Sequence, residues 1–152
     1  MNDQNRNPLR SVAILEIGTA LGLIGFWLAF FTVGLAPARP PVGYVQFEHS
    51  FPVPDLLVAG LFLVAGRCLL DVRAERRRLG RSLSLVCAGA LMFLGALDIS
   101  FNVQNGMYSI SLQDTLLAVA INAWCVGFGA ALMFRCSRSS GGPTTAPPGR
   151  HS

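Results

Sequence analysis

The hydrophobic residues of this 152-residue chain are concentrated in four long blocks, which polar or charged segments separate. Each block is close to the roughly 17 to 25 residues that an α-helix needs to cross the apolar core of a bilayer. The pattern predicts helices over about 11–35, 54–71, 82–104 and 112–134. We therefore expect an all-α integral membrane protein, in which residues 1–135 form a single four-transmembrane-helix bundle.

Composition supports this fold class and excludes several classes of function. With 52% hydrophobic and 13% charged residues, the chain is far more apolar than a soluble globular protein, which makes a soluble enzyme a poor interpretation. The four cysteines fall inside or at the ends of predicted helices, so neither a disulfide framework nor an exposed redox pair is expected, and no cofactor is implied. Residues 136–152 are rich in Ser, Gly and Pro, which predicts a disordered tail.

The distribution of arginine predicts how the helices are oriented. All 12 basic residues are arginines, and ten of them lie in the two tails or between the second and third blocks, whereas the loops on the opposite side hold only Arg39. Basic residues accumulate on the cytoplasmic side of membrane proteins. Both termini and a short arginine-rich loop are therefore predicted to be cytoplasmic, in the inner (plasma) membrane of a bacterium.

The basic excess is explained by this topology and by attraction to anionic lipid, so membrane lipid is an expected partner and nucleic acid is not.

The sequence Ala36-Pro37-Ala38 resembles a signal-peptidase site. The preceding apolar stretch is much longer than the roughly 7 to 15 residues of a signal peptide, so a retained first helix is favoured over cleavage.

Two stripes of small residues offer surfaces for close helix packing. Gly18 and Gly22 share a face of the first helix, and Ala123 and Gly127 share a face of the fourth. Small residues four positions apart let helix backbones approach each other in a membrane. These faces either pack within the bundle or contact another membrane protein or a second copy of the chain, and the sequence leaves both alternatives open.

Two charged residues, Glu16 and Arg67, lie inside predicted spans at similar depth from the cytoplasmic boundary. Charge within the apolar core is costly and normally acquires a partner. We expect a structural ion pair between them. A role in proton or ion passage, or an arginine that simply extends to the interface, are the alternatives.

The opposite side carries four acidic residues, and one of them is unexplained by helix chemistry. Asp55 and Asp114 fall in the first turns of their helices, where the helix dipole favours an anion. Asp98 falls near the C-terminal end of the third helix, where the dipole opposes a negative charge. Helical spacing places Asn102 on the same stripe as Asp98, and Glu48 with His49 lies in the long loop on that side.

Glu48, His49, Asp98 and Asn102 therefore form a candidate ligand-binding site. Three alternatives remain for this set: a clamp that holds the long loop against the helix ends, a site for a metal ion or small polar ligand, and an acid/base pair. No zinc-protease, serine-hydrolase or phosphate-loop motif accompanies them, so no catalytic residue is predicted.

The sequence thus favours a small accessory or scaffold protein that binds lipid or another membrane protein, without evident chemistry. The alternative function is an extracytoplasmic site for binding or transport of a metal ion or small polar ligand, built around Asp98.

Overall fold

The computed structural model describes residues 6–35, 37 and 40–138. Over these ranges the chain is helical, without a strand, and one 3₁₀ turn (Met107–Ser109) precedes the last helix. The α-helices are α1 (Arg6–Val33), α2 (Tyr44–Glu48), α3 (Pro52–Leu70), α4 (Ala74–Gln104) and α5 (Leu112–Arg138). Four apolar segments are long enough to cross a membrane, namely Leu9–Val33, Tyr44–Leu70, Ala74–Gln104 and Leu112–Ser137. The prediction of four such helices is confirmed.

The arginine-rich segment differs from its prediction as a loop. α4 begins at Ala74, eight residues before the predicted start at 82, so most of the arginines lie in its first turns. Arg, Glu and Leu are strong helix formers and no proline interrupts them. The connection from α3 shrinks to a short turn in which the Arg73 amide donates to Asp71 Oδ1 at 2.9 Å. This hydrogen bond lowers the pKa of Asp71.

The other helix ends follow their local chemistry. α4 ends at Gln104, and Gly106 then adopts a left-handed conformation with φ of 63°, which favours glycine. Ser111 caps α5, because its Oγ accepts from the Asp114 amide at 3.1 Å. α5 continues to Arg138, into the predicted tail, and the rest of that tail lies outside the described residues, as do Ala36 and Ala38 of the proposed cleavage sequence.

The helices pack in chain order: α1 against α3, α3 against α4, and α4 against α5, whereas α1 and α5 do not pack closely along their lengths. Glycines permit the close approaches at each of these crossings. A Cβ on Gly66 would lie 2.9 Å from Ile17 Cγ1, one on Gly80 would lie 2.9 Å from the Leu69 nitrogen, and one on Gly95 would lie 2.8 Å from Cys125 Cβ. The glycines at these crossings, rather than those of the predicted stripes, lie directly against a neighbouring helix.

The predicted small-residue faces remain open. A Cβ added to Gly18, Gly22 or Gly127 would meet nothing within 4 Å, and Ala123 is exposed. In the structure, therefore, neither face packs closely against another helix of the chain. A stripe of small residues shows which backbone surface could approach another helix, but the neighbouring helix decides whether it does.

The predicted ion pair is absent from the described part of the chain. Glu16 is completely buried and neither carboxylate oxygen has a hydrogen-bond partner, whereas Arg67 is exposed. Glu16 instead lies near Ser84, Cys87 and Cys136, but the Ser84 hydroxyl donates to the Gly80 carbonyl at 2.8 Å. Similar depth along two helices was the basis of the prediction, and depth does not determine which way each side chain faces around its helix.

Candidate ligand-binding site

A cavity of about 680 Å³ lies between α1 and α5, where these two helices fail to pack against each other. We call it the α1–α5 cavity. Gly18 and Gly22 leave part of the α1 wall without side chains. A hydrogen bond from Trp124 Nε1 to Thr19 Oγ1, 3.2 Å long, crosses from one wall to the other. The remaining walls are mainly apolar and include Leu23, Phe26, Leu91, Leu94, Leu117 and Ile121.

One end of the cavity, which we call the acidic end, collects carboxyl groups from four helices. α3 and α5 begin at this end and α4 finishes there, so the first turns of two helices meet the last turns of a third. The short helix α2 adds its last residue. Every charged residue among the described lining residues is acidic, and these are Glu48, Asp55, Asp98 and Asp114.

All four of these carboxyl groups accept a hydrogen bond from a neighbouring side chain, and for Glu48 the donor is the Tyr44 hydroxyl. Trp27 Nε1 donates to Asp55 Oδ2 at 2.8 Å, in a buried position. Asn102 Nδ2 donates to Asp98 Oδ2 at 2.9 Å, and Ser111 Oγ donates to Asp114 Oδ2 at 2.6 Å. Asp98 is also close enough to Glu48 and Asp55 for their charges to interact. The acidic end therefore has more acceptor oxygens than donors.

Asn122 adds a further unmatched acceptor. It is 4% exposed and lines the cavity, and its Nδ2 donates to the Tyr108 hydroxyl at 3.1 Å. Its Oδ1 is buried, and no described residue donates a hydrogen bond to it. A buried carbonyl oxygen without a donor costs about 1 to 3 kcal/mol, so a ligand that donates a hydrogen bond here is favoured.

The structure brings together three of the four residues of the candidate site. Glu48, Asp98 and Asn102 all line the cavity. His49 does not: it is exposed, and its ring centroid lies 5.8 Å from that of Phe31. One residue further along a helical backbone turns a side chain by about 100°, which separates His49 from Glu48.

The structure bears on two of the alternative interpretations, the metal site and the clamp. Among the described residues, no group of three or more His, Cys, Asp or Glu side chains is arranged to hold a metal ion. The clamp has support from ring contacts, since Phe47 of α2 stacks on Phe101 of α4 with centroids 3.9 Å apart and an interplanar angle of 7°. α2 is thereby held across the end of α4.

Sequence reasoning missed several lining residues. Asp55 and Asp114 had a sufficient explanation in the helix dipole, and aromatic residues such as Trp27 and Tyr44 commonly anchor helices at the membrane interface. Yet Trp27 is buried against Asp55, and Tyr44 is buried beside Glu48. One feature of the sequence could have indicated this grouping: all four acidic residues were predicted on the same side of the membrane.

No family model, curated protein or solved structure matches the chain. Its class therefore rests on the fold and the site: an all-helical chain with four helices long and apolar enough to span a membrane, and a cavity with apolar walls and an acidic end.

Proposed function

We propose that this chain is a multi-pass protein of the bacterial plasma (inner) membrane, with both termini cytoplasmic, which binds a small organic ligand in the α1–α5 cavity. The observation that carries the proposal is a cavity of about 680 Å³ with apolar walls and polar groups gathered at one end. Binding pockets for small molecules have this size and this division between apolar surface and a few orienting polar groups. By the positive-inside rule, the acidic end faces away from the cytoplasm.

An apolar ligand would also explain why side chains do not fill the space between α1 and α5. The cavity is open on one side, and exposed side chains on its walls, such as Leu117 and Trp124, make few dispersion contacts with the rest of the protein. The glycines at positions 18 and 22 enlarge the space rather than bringing a neighbouring helix closer. An occupant with an apolar body would recover those contacts.

Photo-crosslinking of the full-length protein in nanodiscs of zwitterionic lipid tests the proposal. The probes share one alkyl chain with a diazirine and differ in the head group: ammonium, hydroxyl or carboxylate. We expect at least one probe to label α5 residues of the cavity wall, such as Leu117 and Ile121. The variant Gly22→Phe should reduce this labelling several-fold, because the new ring enters the cavity.

Gly60→Phe is the matched control for that variant. Gly60 is also an exposed helical glycine whose Cβ would meet nothing within 4 Å, and it does not line the cavity. Labelling should be unchanged in this control. If none of the three probes labels the cavity wall, or if both variants reduce labelling equally, ligand binding in the cavity is wrong.

A second candidate function is association with a partner in the membrane through Ala123 and Gly127. Both residues are exposed, and the Gly127 surface is open. A face of small residues permits close approach by a helix of a second copy or another membrane protein. Gly127→Leu should abolish cross-linked dimers of the purified protein while Gly60→Leu preserves them; persistence of dimers in Gly127→Leu would exclude this face.

A further inference from the structure

The charges of the acidic end restrict what the ligand can be. The four charged residues among the described lining residues carry the same sign, and they are contributed by α2, α3, α4 and α5. Like charges at short distance in an apolar setting raise the free energy of the empty site unless a proton or a cation compensates them. An anionic ligand such as a fatty acid would add to this repulsion. A cationic group would relieve it.

The hydrogen-bond inventory points in the same direction. The donors at the acidic end are already engaged. Trp27 and Asn102 each donate to a carboxylate, and the Tyr44 hydroxyl donates to Glu48. The Asn122 amide nitrogen is shared between Tyr108 and Asp98. No described residue donates to the buried Asn122 Oδ1, and each carboxylate can accept several bonds, so the described part of the site has too few donors. An ammonium group provides N–H donors and no acceptor, which matches this deficit.

The walls restrict the rest of the ligand. Apart from Thr19 and the acidic end, the cavity is bordered mainly by aliphatic and aromatic side chains. A small hydrated cation would leave that surface uncovered, whereas an alkyl or aryl group would bury it, and burial of apolar surface is favourable.

We infer that the ligand is a lipophilic amine, bound with its protonated nitrogen between Asp98, Glu48 and the Asn122 Oδ1 and with its apolar body between α1 and α5. This inference rests on the proposed function and names the chemical class that the cavity selects. Simple alkylamines are protonated at pH 7, as the lysine side chain is.

The probe set described above distinguishes the head groups. The ammonium probe should label the cavity wall at concentrations at least about tenfold lower than the hydroxyl probe, because a hydrogen bond to a charged group is stronger than one between neutral groups. The carboxylate probe should label it least. Both tryptophans of the chain, Trp27 and Trp124, line the cavity, so quenching of intrinsic fluorescence by a brominated alkylamine gives an independent measure of affinity.

Asp98→Asn tests the role of the carboxylate at the centre of the acidic end. This variant should weaken the ammonium probe about tenfold and leave the hydroxyl probe unchanged, which also shows that the cavity is still formed. Glu48→Gln should act in the same direction, and it provides the test if Asp98→Asn does not fold. Glu75→Gln is the matched control, since Glu75 is an exposed acid at the other end of α4.

The outcomes separate this inference from the proposed function. If the hydroxyl probe labels the wall as well as the ammonium probe, or if Asp98→Asn and Glu48→Gln leave the ammonium probe unaffected, the inference is wrong and the cavity binds a different class of ligand. If no probe labels the wall, the proposed function fails as well.

Discussion

Glu16 and Asn122 are buried polar residues with oxygen atoms that no described group satisfies, yet their surroundings differ. Asn122 lines the α1–α5 cavity, where a ligand can reach it, whereas Glu16 is completely buried and does not line the cavity. Unmatched polar atoms in an apolar interior are destabilising unless a partner arrives. We therefore interpret the Asn122 oxygen as a contact for the ligand and expect Glu16 to lower the stability of the bundle.

Replacement of Glu16 by an apolar residue should stabilise the protein. Glu16→Met removes both unmatched oxygens at little change in volume, and we expect a gain of about 1 to 3 kcal/mol in the free energy of unfolding, measured by denaturation in mixed micelles. Arg67→Met is the control and should change little, because Arg67 is exposed. If both single variants lose stability and the double variant loses no more than either, the two residues do form an ion pair.

The hydrogen bond between Trp27 and Asp55 should contribute strongly to stability at the acidic end. Trp27→Phe keeps most of the ring volume but removes the donor to a buried carboxylate, so we expect a loss of about 1 to 3 kcal/mol. Trp124→Phe should lose less, since Trp124 is 47% exposed. Equal losses in thermal unfolding of the two variants would contradict a special role for the Trp27 indole.

At the scale of helices, backbone proximity depends on which glycines face a neighbour. Gly80 lies where α4 crosses α3, and its surroundings include backbone atoms that cannot move aside easily: the Leu69 nitrogen at 2.9 Å and the Ala65 oxygen at 3.1 Å from an added Cβ. Gly60 of α3 has no such neighbour. The two positions are both helical glycines and differ only in what surrounds them.

Alanine at these two positions should therefore have opposite effects. Gly80→Ala should destabilise the bundle by about 1 to 3 kcal/mol, because α3 and α4 must separate. Gly60→Ala should be neutral or stabilise by up to about 1 kcal/mol through the higher helix propensity of alanine. The comparison is made by thermal unfolding of the two purified variants. A stable Gly80→Ala protein would show that the crossing tolerates a wider separation.

At the scale of the whole molecule, packing in chain order leaves α1 and α5 without each other as neighbours. Both described chain ends, Arg6 and Arg138, lie at one end of the bundle. The arginine-rich start of α4 lies at that end as well. The acidic end lies opposite. The molecule is thus strongly polarised in charge along its long axis.

This charge asymmetry predicts the topology of the inserted protein. A fluorescent protein fused after Ser152 should fluoresce, and alkaline phosphatase inserted near Val42 should be active, because the two sites are expected on opposite sides of the membrane. Replacing Arg76, Arg77 and Arg78 by glutamine should reduce the uniformity of insertion. Phosphatase activity from the C-terminal site in the unaltered protein would contradict the proposed orientation.

The hydrophobic pattern alone determined the number of long helices and most of their extent, because apolar length reports directly on the helix that must bury it. The helix end at Gly106 and the cap at Ser111 likewise depend on a few neighbouring residues and require no tertiary contact. The arginine distribution suffices to predict an orientation for the same reason: it is a property of segments rather than of contacts.

The tertiary structure decided what depends on the rotation of one helix against another. It separated Glu16 from Arg67, turned His49 away from Glu48, and joined Asp55, Asp98 and Asn122 around one cavity. The sequence predicts the depth of each residue along its helix, but the direction in which a side chain faces follows from which helices are neighbours. That choice, made at Gly66, Gly80 and Gly95, left the space between α1 and α5 open.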